Sequence, residues 1–127
     1  MAKDLSDKTI LVVDDDPDIL TAITATLQET GATIETATDG NSAVRIAEQK
    51  NPDLVILDIM LPQKSGFLVL ERIKQSASGH QPRIVMITAN QGRRHRQYAE
   101  ALGVDEYLNK PFPMERLLEV TESLLSN

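Results

Sequence analysis

The chain has 127 residues, a net charge of −6, 41% hydrophobic and 25% charged residues, and no cysteine. That length fits one domain able to bury a core without staples, and the missing cysteines exclude disulfides, thiol catalysis and Cys-ligated metal centres. The acidic balance opposes nucleic acid and anionic membranes as partners, no aliphatic run can span a bilayer, and residues 1–6 lack the apolar core of a signal peptide, so a cytoplasmic location is expected.

Residues 9–13 (TILVV) read as a strand. A helix follows, with Ile19, Leu20, Ile23 and Leu27 on one face, Pro17 in its first turn and Gly31 as its C-terminal cap. Residues 33–36 are polar enough for an edge strand. The second helix carries Ala43, Val44, Ile46 and Ala47 and stops at Asn51-Pro52. Residues 54–57 form the next apolar strand, followed by a helix bearing Phe67, Leu68, Leu70 and Ile73. Residues 76–81 are turn-rich and read as a surface loop. A strand at 83–87, a helix over roughly 94–102 ending at Gly103, a weak strand at 106–108, and a helix from about Pro113 with Met114, Leu117, Leu118, Leu124 and Leu125 complete the chain. Strands alternating with helices, and near-continuous apolar strands, predict an α/β fold with a parallel sheet covered on both faces.

A polar residue closes each central strand: Asp14, Asp15 and Asp16 after the first, then Asp58, Thr88 and Lys110 after the others. Open parallel sheets bind ligands beyond the carboxyl ends of their strands, so these side chains should meet in one crevice. Asp16, before Pro17, reads as a helix N-cap. Clustered carboxylates repel unless a cation sits among them, and oxygen ligands without His or Cys suit Mg²⁺. Metal, ammonium and hydroxyl together suit a phosphoryl group. Asp58, alone on the central strand between the acid pair and the lysine, is the candidate to form an acyl phosphate. A Mg²⁺-dependent phosphatase would want a second Asp two residues after the nucleophile, where Met60 stands, and a dinucleotide fold would want a Gly-rich turn where Asp14-Asp15-Asp16-Pro17 stands.

Asp14-Asp15-Asp16-Pro17, residues 52–62 around Asp58, Ser65-Gly66, Ile87-Thr88-Ala89, residues 103–108 and Lys110-Pro111-Phe112 together resemble the receiver domain of two-component response regulators, over roughly residues 8–125. The resemblance implies a flavodoxin-like (βα)5 fold with strand order 2-1-3-4-5. It makes Asp58 the phosphoacceptor and gives Mg²⁺ to Asp14, Asp15, Asp58 and the backbone carbonyl of Met60. Lys110 would pair with phosphoryl oxygens, and Thr88 would bind one and move on activation, with small Ala89 leaving room. Tyr107 would swing inward as Thr88 moves, and Lys110-Pro111 would be a cis peptide. The implied donor is a phosphohistidine on a sensor histidine kinase or a histidine phosphotransfer protein, and the output is contact with a downstream protein or, as in many relatives, with a second phosphorylated copy. Residues 2 positions beyond Asp58 and Thr88, Met60 and Asn90, would influence how long the acyl phosphate survives.

The fourth helix opens with Arg93, Arg94, His95 and Arg96, which is unusually basic for this family and opposes the helix dipole. The expectation is that this patch meets an acidic partner. The whole chain, residues 1–127, is expected to be a single receiver domain without an output domain. A stand-alone regulator is favoured over a phosphorelay intermediate or a receiver belonging to a hybrid kinase or larger regulator.

Overall fold

The computed structural model describes residues 4–62, 64–75, 81–89 and 92–126. Strands and helices alternate as β1 (Thr9–Val13), α1 (Pro17–Gln28), β2 (Thr33–Ala37), α2 (Gly40–Lys50), β3 (Leu54–Asp58), α3 (Gly66–Lys74), β4 (Arg83–Thr88), α4 (Arg93–Ala101), β5 (Glu106–Asn109) and α5 (Met114–Leu125). The strands are all parallel, in the order β2-β1-β3-β4-β5. The order reverses between β1 and β3, the place where open α/β sheets carry their ligands.

Alternation along the strands divides the core. Leu11, Val13, Val55, Leu57, Ile84 and Met86 face α2, α3 and α4. Ile10, Val12, Leu54, Ile56, Val85 and Ile87 face α1 and α5, meeting Ile23, Leu27, Leu117 and Val120. Each such aliphatic side chain contributes roughly 1.5–3 kcal/mol when fully buried. Central strands buried on both faces have no solvent side, so they read as apolar runs. β2, with one neighbour and only Ala37 fully buried, is the expected polar edge.

Local chemistry sets the boundaries. Asp16 caps α1 by accepting from the Asp18 amide at 2.9 Å, with Pro17 at the first helical position. Asp39 caps α2 through the Ser42 amide at 2.8 Å, and Asn51 closes it in a left-handed conformation. Gly31 (φ 87°) lies two residues past Glu29, which caps α1. α4 starts at Arg93 with Gly92 as its N-cap and no side-chain cap. The expected strands at 54–57, 83–87 and 106–108 each run one residue further, because pairing continues through the polar residue: Asp58 pairs with Ile87, and Thr88 with Asn109. β2 likewise extends to Ala37, which pairs with Val13.

The amino ends of the strands are fastened by two aspartates that no local sequence pattern marks out. Asp53, just before β3, donates its amide to the Thr9 carbonyl at 2.8 Å and accepts the Thr9 amide on Oδ2 at 2.9 Å. Asp105, just before β5, repeats the exchange with Ile84, at 2.8 Å in both directions. Charged and polar side chains therefore collect at one end of the sheet and register-setting ones at the other.

Candidate functional site

The carboxyl ends of β1, β3, β4 and β5 bring together Asp14, Asp58, Thr88 and Lys110, as the strand-end argument predicts. Asp14 is 0% exposed and Asp58 3% exposed, and Thr88 is buried. Lys110 reaches across the mouth of the sheet. Its Nζ donates to Asp14 Oδ2 at 2.8 Å and to Asp58 Oδ2 at 3.2 Å. Residues 96 positions apart in sequence thus form one charge cluster.

The second oxygens are also committed. Asp14 Oδ1 accepts the Asp16 amide at 2.9 Å, and Asp58 Oδ1 accepts the Met60 amide at 3.1 Å. Asp15 is exposed at the rim, and one carboxylate oxygen each from Asp14, Asp15 and Asp58 lie within 4.8 Å of one another. All three donors are hard oxygens, so the group fits a divalent cation such as Mg²⁺ that keeps part of its water shell.

Burial pushes the Asp58 carboxyl above its ordinary value. The Met60 amide pulls it down, the nearby Asp14 charge adds to the rise, and Lys110 opposes it. For Lys110, burial acts to lower the ammonium's pKa, but its hydrogen bond to Asp14 and the charges of Asp58 and Asp14 outweigh that, and the shift is upward. Lys110 is therefore a fixed cation, set to face added negative charge beside Asp58.

The loop from β3 to α3 shapes the floor. Gly66 donates its amide to the Ile59 carbonyl at 2.8 Å. A Cβ at Gly66 would overlap the Asp58 carbonyl oxygen and lie 2.7 Å from the Ile59 Cα, so only glycine allows this approach behind Asp58. Met60 is 60% exposed beside the acid cluster. Lys110-Pro111 is a cis peptide, and the Lys110 amide donates to the Thr88 carbonyl at 2.8 Å, which ties β5 to β4 at the site.

Tyr107 is already inside, 5% exposed, within the α2–α4 half of the core. Arg96 on α4 stands over its ring, Cζ 5.6 Å from the centroid, and also pairs with Glu100. Burial pushes the Tyr107 hydroxyl pKa up, and the Arg96 charge opposes this. Arg93, Arg94 and Arg96 are all exposed on the first turn of α4, but they are not equivalent: only Arg96 also stands over the buried Tyr107 ring. Asn90, with residues 76–80, lies outside the described residues. An apolar cleft of about 410 Å³ opens beside Lys110, lined by Ile19, Ala89, Pro111, Phe112 and Met114.

A family model described as response regulator receiver domain matches residues 10–122. The chain belongs to that family. It is 36% identical over 117 residues to TcrX of Mycobacterium tuberculosis, a probable transcriptional regulatory protein, covering 92% of this chain and 49% of TcrX. It is 29% identical to protein PilH of Pseudomonas aeruginosa, over 92% of this chain and 97% of PilH. The receiver domain of the sensor histidine kinase PA1611 of Pseudomonas aeruginosa, solved with a magnesium ion in its active-site cleft, superposes with a TM-score of 0.85 at 30% identity, over 94% of this chain and 98% of that one. The chain spans about half the length of most curated relatives it matches. Several of these are named transcriptional regulators, so the acidic balance bears on these 127 residues and not on what a longer protein would contact. No helix among the described residues is long and apolar enough to cross a membrane.

Proposed function

We propose that Asp58 is the phosphoacceptor of this receiver and that its phosphorylation requires Mg²⁺. The observation that carries this is the Lys110 ammonium spanning Asp14 and Asp58 at 2.8 and 3.2 Å. A fixed cation thus stands between two buried carboxylates at the mouth of a parallel sheet, with Asp15 at the rim. Asp14, Asp15, Asp58 and the Met60 carbonyl would hold the metal. When bound, Mg²⁺ supplies charge neutralisation to the phosphoryl oxygens.

The chain's own residues do the rest. An Asp58 carboxylate oxygen attacks the phosphorus of a donor phosphohistidine. The new P–O bond forms as the P–N bond breaks, and the imidazole leaves with its electron pair and takes a proton. Lys110, already cationic, releases Asp58 and meets a phosphoryl oxygen without waiting for a proton. Thr88, buried at the adjacent strand end, donates its hydroxyl to another. The cleft lined by Ile19, Phe112 and Met114 adjoins this path and suits the apolar surface of a donor protein, a sensor histidine kinase or histidine phosphotransfer protein. Tyr107 and α4 form the switch face, and Arg93, Arg94 and Arg96 recognise an acidic partner there. This reading holds whether the receiver makes up nearly the whole protein, a length that PilH matches, or is part of a longer one, a length that TcrX matches.

Incubation with acetyl phosphate and Mg²⁺, followed by intact-mass measurement, tests the assignment. The expected result is one added phosphoryl group, lost when Mg²⁺ is chelated and absent in Asp58→Asn. Full labelling of Asp58→Asn would overturn it.

A further inference from the structure

We propose that Arg96 is the positioning residue of Tyr107: its guanidinium holds the ring beneath α4, and Glu100 holds the guanidinium.

Three observations meet at this residue. The Tyr107 ring is 5% exposed, yet its hydroxyl is buried without a hydrogen-bond partner among the described residues. A phenol so placed gains from burial of its ring and loses at its oxygen, so its place inside is held less firmly than a fully satisfied one, and a further attraction adds to it. Arg96 provides one. Its Cζ lies 5.6 Å from the ring centroid, within the distance at which a guanidinium is drawn to the negative face of an aromatic ring. Finally, Arg96 is itself held. Its Nε donates to Glu100 Oε2 at 3.4 Å, one turn along the same helix.

Exposure divides the labour. The Arg96 side chain is 53% exposed, while the ring beneath it is closed off. Arg96 is thus the part of this pair that a partner can touch. A carboxylate arriving at α4 competes with Glu100 for Arg96 and thereby acts on Tyr107 without contacting it. Position 96 is therefore a control point on the ring, distinct from Arg93 and Arg94. This last consequence rests on the reading of Tyr107 as part of the switch, whereas the positioning itself does not.

The composition makes the test direct. The chain has no Trp and only two tyrosines, Tyr98 and Tyr107. Among the described residues the Tyr98 hydroxyl meets Glu71 at the surface, so Tyr98→Phe leaves a folded chain with Tyr107 as its sole tyrosine. In that background, acrylamide quenching of tyrosine emission reports the ring's exposure. Arg96→Met keeps the length and loses the charge, and should raise the quenching constant about two- to fivefold. Arg96→Lys keeps a cation and should restore low quenching. Glu100→Gln should give an intermediate rise. Far-UV circular dichroism confirms that each variant is folded. Equal quenching in Arg96→Met and its parent overturns the proposal, as does a rise in Arg96→Lys as large as in Arg96→Met. Intact mass after acetyl phosphate and Mg²⁺ is measured on the same samples. Loss of the adduct in the parent would refute the phosphoacceptor reading while leaving the quenching result to judge Arg96.

Discussion

Asp58 carries a charge that the fold makes costly. Burial raises its carboxyl pKa above the ordinary 3.8. Between that value and the raised one, the folded chain keeps a proton that the unfolded chain has shed, so stability falls as pH rises through the window and stays reduced above it. Asp58→Asn removes the charge in nearly the same shape. Without divalent cation, the variant should be more stable than the parent at neutral pH, by on the order of 1 kcal/mol, or about 4 °C in Tm. The gain should shrink toward zero as pH falls to about 4. A thermal scan across pH checks this, and an equal or lower Tm for Asp58→Asn at neutral pH would count against a strained carboxylate. The identities of these residues were legible early, because strand-end placement in a βα alternation depends only on where apolar runs stop. Their connectivity was not. That one Lys110 nitrogen serves both Asp14 and Asp58 follows from β1 and β3 being neighbours and from the path of the chain after β5. Gly66 likewise stood out only as part of a match, since its reason is the Asp58 carbonyl behind it.

Among the helices, α4 has the least favourable start. Its N-cap is Gly92, no side chain caps it, and its first turn has no acidic residue but begins with two exposed arginines. Cations at a helix N-terminus oppose the macrodipole, at about 0.3–1 kcal/mol each. Replacing both, Arg93→Glu with Arg94→Glu, should therefore stabilise the domain by about 1 kcal/mol, leave phosphorylation of Asp58 intact and weaken capture of the downstream partner by the phosphorylated chain. Stability is read by urea titration, and unchanged capture would count against an acidic partner. The basic turn was plain in the sequence. That Arg96 turns away from its neighbours toward Tyr107 was not, because helical spacing tells which residues share a face but not which cross-element ring one of them covers. Tyr98 is similar: its edge-to-face contact with Phe67, 4.8 Å between centroids, ties α4 to α3 and has no local signature.

At the scale of the whole molecule, the two halves of the core share one sheet, and the charge cluster sits where all its central strands end. Anything bound at that mouth is linked to the stability of the entire domain, because the unfolded chain has no such cluster. Mg²⁺ with beryllofluoride, a phosphoryl mimic, should raise Tm by about 10 °C at a hundredfold excess over Kd. Asp58→Asn should show almost none of that rise, as measured by scanning calorimetry. A matching rise in the variant would place the ligand elsewhere. The architecture itself was readable at this scale, since five alternations with apolar central strands admit few arrangements; strand order came from family resemblance, and the sheet confirms it.

The paired exchanges of Asp53 with Thr9 and of Asp105 with Ile84 have a kinetic meaning. They close the ladders at the end of the sheet opposite the charge cluster, through both main chain and side chain. The amide protons of Thr9, Asp53, Ile84 and Asp105 should therefore escape to deuterium only when the domain opens globally, whatever occupies the mouth. The amides of Met60 and Lys110, bonded to Asp58 and the Thr88 carbonyl, lie at the charge cluster, and their exchange should change when beryllofluoride and Mg²⁺ are added. The domain is in this sense a tuning fork clamped at its stem, with paired main-chain and side-chain bonds at the end of the sheet opposite the charge cluster.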